Sequence, residues 1–146
     1  MKLQRVGPGA FLADALEPDE PEKSISAVGP VPELTMRLWA LDARVADASM
    51  LMDRERLRAI LYEAALVGGA TVMGEEFCVF PNGAVTGVLV LAQSHLTIHT
   101  WPEHSLANVD LLSCGDLPGE HMVQSIGRAL NAEHVAITSV ARGPWS

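Results

Sequence analysis

The segment LAQSHLTIHTWPEH, residues 91–104, places three of the chain's five histidines within ten positions, around Ser94. Twenty residues beyond Ser94 stands Cys114, one of two cysteines. A hydroxyl, an imidazole and a thiol can attack a carbonyl, move protons or ligate a metal. Two chemistries are therefore open. His95, His99, His104 and Cys114 could together form a zinc site, although these residues fall on strands and a turn rather than on one helix face. Alternatively, Ser94 could be the centre of a catalytic site.

The elements that must position these groups can be read from periodicity. Residues 34–41 alternate with period two and read as a strand. Asp53 opens a helix on which Leu57, Ile60, Leu61 and Ala64 repeat at helical spacing, and Gly68-Gly69 stops it. Strands follow at 70–77, 87–92, 95–100 and 107–114. A second helix after Pro118-Gly119 carries Val123, Ile126 and Leu130 on one side, and a last strand covers 134–141. The order β-α-β-β-β-β-α-β predicts an α+β fold: a two-layer sandwich with a mainly antiparallel sheet and two helices on one face. The other face would be half-covered or used for assembly.

Register then makes a sharper statement. If 95–100 and 107–114 form a hairpin about the intervening loop, opposed residues sum to about 207, and Cys114 faces residue 93, beside Ser94. His99 behaves differently. Five extended residues span about 17 Å, and the odd spacing puts His99 on the opposite face from Ser94. His99 would serve the Ser94 of another protomer more easily than its own.

At 146 residues the chain suits one domain with a hydrophobic core. Residues 1–32 hold five of the nine prolines and read as a flexible or loosely packed extension, with the folded domain over 33–146. The net charge of −8, with scattered Lys and Arg, argues against nucleic acid or an anionic membrane as a partner. No apolar run is long enough to span a membrane, and two cysteines make a poor disulfide framework. These features suggest a cytoplasmic protein.

SHLTIHTWPEH at 94–104, followed by VDLLSCGD at 109–116, closely resembles the signature of the bacterial and archaeal S-adenosylmethionine decarboxylases. These are small enzymes that cleave themselves to make a covalent pyruvoyl cofactor. The match keeps both the Ser-to-His spacing of five and the Ser-to-Cys spacing of twenty. The resemblance implies self-cleavage between Gln93 and Ser94, with Ser94 becoming the pyruvoyl group that forms a Schiff base with the substrate amine. It implies His99 as the processing base, helped by the Thr86 hydroxyl, and Cys114 as the proton donor that completes decarboxylation. Glu103 would bind the ribose of the substrate, and Phe80 would help hold its adenine. It also implies a homodimer whose sites draw on both protomers, no metal, and a product that donates aminopropyl groups to spermidine biosynthesis.

The sequence departs from the family pattern in places. Gln93 stands where a Glu is usual, Cys78 where a His is usual, Thr86 where Ser is commoner, and Glu33-Leu34-Thr35 replaces Gly-Arg-His. These changes cluster where substrate would be gripped, so ornithine and arginine remain alternative substrates for the same chemistry. A catalytically dead relative acting as a binding partner is a further alternative, although Ser94, His99 and Cys114 are all present. Among the remaining groups, Cys78 reads as buried filler, His95 as scaffold and His104 as a solvated loop residue.

Overall fold

The structure, a computed structural model, describes residues 34–143. The extension expected at 1–32 lies outside the described residues. Among those described, the chain runs β1 (Met36–Val45), α1 (Arg54–Val67), β2 (Val72–Val79), β3 (Val85–Leu91), β4 (Ser94–Trp101), β5 (Leu106–Cys114), α2 (Gly119–Ala129) and β6 (Ala132–Arg142). Short 3-10 turns occupy Ala48–Met52 and Pro102–His104. The element order is the one the periodicity suggests, with strand ends displaced by a few residues.

The strands form one antiparallel sheet in the order β2-β3-β4-β5-β1-β6. The middle run is a meander of tight connections. β1 is inserted between β5 and β6, so those two run parallel to each other and need a crossover, which α2 supplies. This is the expected α+β sandwich of one sheet and two helices.

Alternation decides which residues the helices cover. On β4, Leu96, Ile98 and Thr100 are buried, and on β5 Ala107, Val109, Leu111 and Ser113 are buried. Against them pack Leu57, Ile60, Leu61 and Ala64 of α1, Met122, Val123 and Ile126 of α2, and Leu130 just beyond it. Each buried leucine or isoleucine stabilises the fold by about 1.5–3 kcal/mol. The Asp53 carboxylate starts α1 by accepting from the Arg56 amide at 3.1 Å. At Gly87 the sheet needs a residue with no side chain, because a Cβ there would lie 2.3 Å from the ring of its cross-strand partner Phe77.

β1 follows the expected alternation. Met36, Leu38 and Ala40 share the face away from the helices, while Leu41, Ala43 and Val45 enter the core. One correction concerns Cys78, which is exposed rather than buried. Phe77 takes the core-facing position beside it, and β2 has only one neighbouring strand, so nothing covers the thiol.

The face opposite the helices carries Leu38, Ala40, Val88, Val90, Leu112 and Val140, interspersed with Thr97, Asp110 and Thr138. No described element packs on it. Val90 and Val140 are 48% and 56% exposed there, a mixed apolar and polar surface in the middle of the molecule.

Candidate active site

The chemistry-bearing residues gather at two ends of the open face. At one end, β3 and β4 are joined by only Ala92 and Gln93, with Leu91 paired to Ser94 across the connection. Closing so short a hairpin forces Gln93 into the left-handed region, at φ 58°, which is uncommon and strained for a residue with a side chain. Ser94 is half-buried at the first position of β4, and its hydroxyl donates to the Leu112 carbonyl.

The hairpin register is the one derived above. Leu96 faces Leu111 and Thr97 faces Asp110, both pairs summing to 207. Continued to the strand ends, it brings Cys114 to the Ala92–Gln93 connection, where the thiol donates to the Gln93 carbonyl at 3.2 Å. Ser94 and Cys114 thus flank one peptide group. A recess of about 300 Å³ opens beside them, lined by Met36, Leu38, His95, Leu112 and Arg142.

At the other end, Thr86 and His99 are direct cross-strand partners, with Thr86 Oγ1 3.1 Å from His99 Nδ1. They form one wall of a cleft of about 320 Å³, which Phe80, Asn82, Trp101 and Glu103 also line. The Asn82 side chain accepts from the Ala84 amide at 3.1 Å and shapes the turn before β3. Phe80 is 49% exposed, so it belongs to this cleft and not to the core. Glu103 is exposed in the turn that follows Trp101.

The sequence-derived residues therefore fall into two sets. Ser94, Gln93 and Cys114 meet at one end, and Thr86, His99, Phe80 and Glu103 meet at the other. Within one chain the sets are separated by the length of β4, about 17 Å from Ser94 to His99. His95 lies on the open face four residues before His99, and His104 is exposed in the turn. Among the described residues, no group of three or more His, Cys, Asp or Glu is placed to hold a metal ion. Nor is any described helix long and apolar enough to cross a membrane.

Sequence reasoning missed Trp101, which the Trp-Pro break disguised as loop. The signal was available: Trp101 lies an even number of positions from His99, so an unbroken strand puts both on one face. Its indole Nε1 donates to Asn108 Oδ1 at 2.7 Å, and Asn108 Nδ2 donates to Asp42 Oδ1 at 2.6 Å.

Comparison with known proteins identifies the family. The family model described as S-adenosylmethionine decarboxylase matches residues 37–143. The S-adenosylmethionine decarboxylase proenzyme of Clostridium tetani is 40% identical over 98 residues, covering 66% of this chain and 78% of that protein. The proenzyme of Caldanaerobacter subterraneus subsp. tengcongensis is 42% identical over 102 residues, covering 66% and 79%. The crystal structure of the adenosylmethionine decarboxylase from Aquifex aeolicus superposes with a TM-score of 0.70 at 32% identity, over 78% of this chain and 95% of that one. With the model spanning β1 to β6 and relatives matched over most of their length, the chain belongs to the S-adenosylmethionine decarboxylase family.

Proposed function

We propose that the protein is a self-processing, pyruvoyl-dependent decarboxylase of S-adenosylmethionine. The observation that carries this reading is the Cys114 thiol on the Gln93 carbonyl, next to the Ser94 hydroxyl. A donor on the carbonyl oxygen draws electron density from its carbon and stabilises the charge that builds on oxygen during attack. Turned from Leu112, the Ser94 hydroxyl adds to that carbon, and the acyl group passes from the Ser94 nitrogen to its oxygen. A base then removes the Ser94 α-proton. The C–O bond breaks, Gln93 leaves as a carboxylate, and the dehydroalanine that remains takes up water and loses ammonia.

The local structure fits such a group. The broken bond lies in a two-residue connection, so cleavage opens a turn and leaves β3 and β4 in the sheet. The strain of a left-handed Gln93 is released at the same time. A pyruvoyl group at position 94 supplies the electron sink needed when a bound amino acid loses carbon dioxide.

The other residues take roles from their positions. Cys114, half-buried at the end of β5, returns a proton to the substrate α-carbon. In the cleft, Glu103 accepts from ribose hydroxyls and Phe80 packs on the adenine. Thr86 holds His99 through its hydroxyl, and His99 is the processing base. Because β4 separates His99 from its own Ser94, the working unit is a homodimer. Two open faces brought together by a two-fold axis place the Thr86–His99 end of one protomer against the Ser94–Cys114 end of its partner. Free thiols at Cys78 and Cys114 suit the reducing cytoplasm, where we place the enzyme.

An intact mass spectrum tests the reading directly. The purified protein should show two chains split between Gln93 and Ser94, the second lighter than the simple hydrolysis fragment by one ammonia. Ser94→Ala should remain whole. The processed protein should release labelled carbon dioxide from carboxyl-labelled S-adenosylmethionine. A wild-type chain that stays uncut after long incubation would remove the cofactor and the function with it.

A further inference from the structure

The hydrogen-bonded chain from Trp101 through Asn108 to Asp42 has a direction that its end groups impose. An indole N–H can only donate, and a carboxylate can only accept. The group between them must accept on one side and donate on the other, and a side-chain amide does both. The Asn108 amide is therefore held in one orientation, at 2.7 Å from the indole nitrogen and 2.6 Å from the Asp42 carboxylate.

The three residues come from three strands that are neighbours in the sheet: β4, β5 and β1. Asn108 faces His99 on one side and Asp42 on the other. The chain therefore runs along the row that holds the Thr86–His99 pair, and its last member, Trp101, walls the cleft with Phe80 and Glu103. An indole 44% exposed has room to leave that wall unless something ties it down. The tie is Asn108, braced by a charged acceptor, and hydrogen bonds to charged groups are the stronger kind.

We infer that Asn108 and Asp42 are positioning residues for substrate selection. Acting through Trp101, they hold the aromatic wall against which the nucleoside end of the substrate packs. They touch neither the peptide bond to be broken nor the groups at the Ser94 end. The inference rests on the decarboxylase reading of the cleft.

The test uses full-length, self-cleaved enzyme carrying Asn108→Leu, Asp42→Leu or Asp42→Asn, with cleavage checked by mass. Asn108→Leu removes both hydrogen bonds and should raise KM for S-adenosylmethionine about tenfold with kcat within about twofold, the loss of one to two net hydrogen bonds. Asp42→Leu should do the same to a smaller degree, and Asp42→Asn, which keeps an acceptor for Asn108, should return KM toward wild type. A second readout does not depend on turnover. In uncleaved Ser94→Ala, 5′-deoxy-5′-methylthioadenosine should bind by calorimetry, and adding Asn108→Leu should weaken it by a similar factor. With Trp39 and Trp145 replaced by Phe, acrylamide should quench the remaining Trp101 more strongly once Asn108 is Leu.

Unchanged KM and thioether affinity in Asn108→Leu would overturn the inference while leaving the decarboxylase intact. So would a loss confined to kcat, or an Asp42→Asn enzyme as impaired as Asp42→Leu. A Ser94→Ala protein that binds no thioether at all would overturn both the inference and the nucleoside reading of the cleft.

Discussion

If each site is built from two protomers, defects in Ser94 and His99 should complement. A general base must come within about 3 Å of the proton it removes. In its own chain His99 stands about 17 Å along β4 from Ser94, at a position of opposite parity. No side-chain rotation covers that gap, so a His99 that acts as the proposed processing base must be that of a neighbour. His99→Asn alone should slow self-cleavage by about 10²–10⁴-fold, the usual contribution of a positioned base. Ser94→Ala should abolish it. Co-expressing the two chains in equal amounts gives about half mixed dimers under random pairing in a symmetric assembly. Each mixed dimer contains one site with an intact Ser94 from the His99→Asn chain and an intact His99 from the Ser94→Ala chain. About half of the His99→Asn chains should therefore be cut, and none of the Ser94→Ala chains. Different affinity tags allow the mixed dimers to be isolated and each chain's mass to be read. Wild-type cleavage in His99→Asn alone would refute the argument. Mixed dimers that form but stay uncut would refute it too.

Three further outcomes follow from particular contacts. Cys114→Ala removes the donor on the Gln93 carbonyl and the proposed proton donor. Self-cleavage should slow about tenfold, from the lost hydrogen bond, and decarboxylation by processed enzyme about 100-fold, which time-resolved mass spectra and carbon dioxide release would separate. Thr100→Val strips a buried hydroxyl that accepts from the Val85 amide and donates to the Leu51 carbonyl, each at 2.8 Å. With both backbone groups left unpaired, calorimetry should show a loss of about 2–3 kcal/mol and a Tm lower by roughly 10 °C. The Arg58 guanidinium holds the Glu75 carboxyl below the usual carboxylate range through a bidentate contact at 2.7 and 2.8 Å. A depressed carboxylate stabilises the fold above its unfolded pKa, and that stability is lost as pH falls through the folded value. Both side chains are about a third exposed, so Glu75→Gln should cost no more than about 1 kcal/mol in denaturant melts at pH 7. The difference from wild type should vanish in strong acid.

The sequence made local geometry readable wherever a short connection tied two alternating strands together. The pairing of β4 with β5 followed from loop length and parity, so the approach of Cys114 to Gln93 could be derived without a structure. What could not be read was set by distant pairings. Nothing near β1 announces that it lies between β5 and β6, and without that placement the Asn108–Asp42 bond, between residues 66 apart, has no reason to form. Cys78 was misread for the same reason. Its exposure follows from β2 being an edge strand and from the uncovered face it shares with Thr86, both properties of the whole sheet.

The site lies at strand ends because of parity. Ser94 belongs to the alternating set of Leu96, Ile98 and Thr100, which faces the helices, whereas Cys114 and His99 belong to the set that faces outward. Midway along a strand these sets are divided by the sheet itself, and a serine of one could not be worked on by groups of the other. At position 94 the strand has only just begun, and the peptide group before it has already left the pleat through the left-handed Gln93. There the Gln93 carbonyl reaches the outward Cys114, although the Ser94 hydroxyl still bonds the backbone of β5. The proposed cleavage is therefore suited to a strand's first residue. A Gly at position 93 provides a check: it would adopt the same turn without strain. The protein should then be more stable before cleavage, and any contribution of released strain to processing should appear as a slower cut.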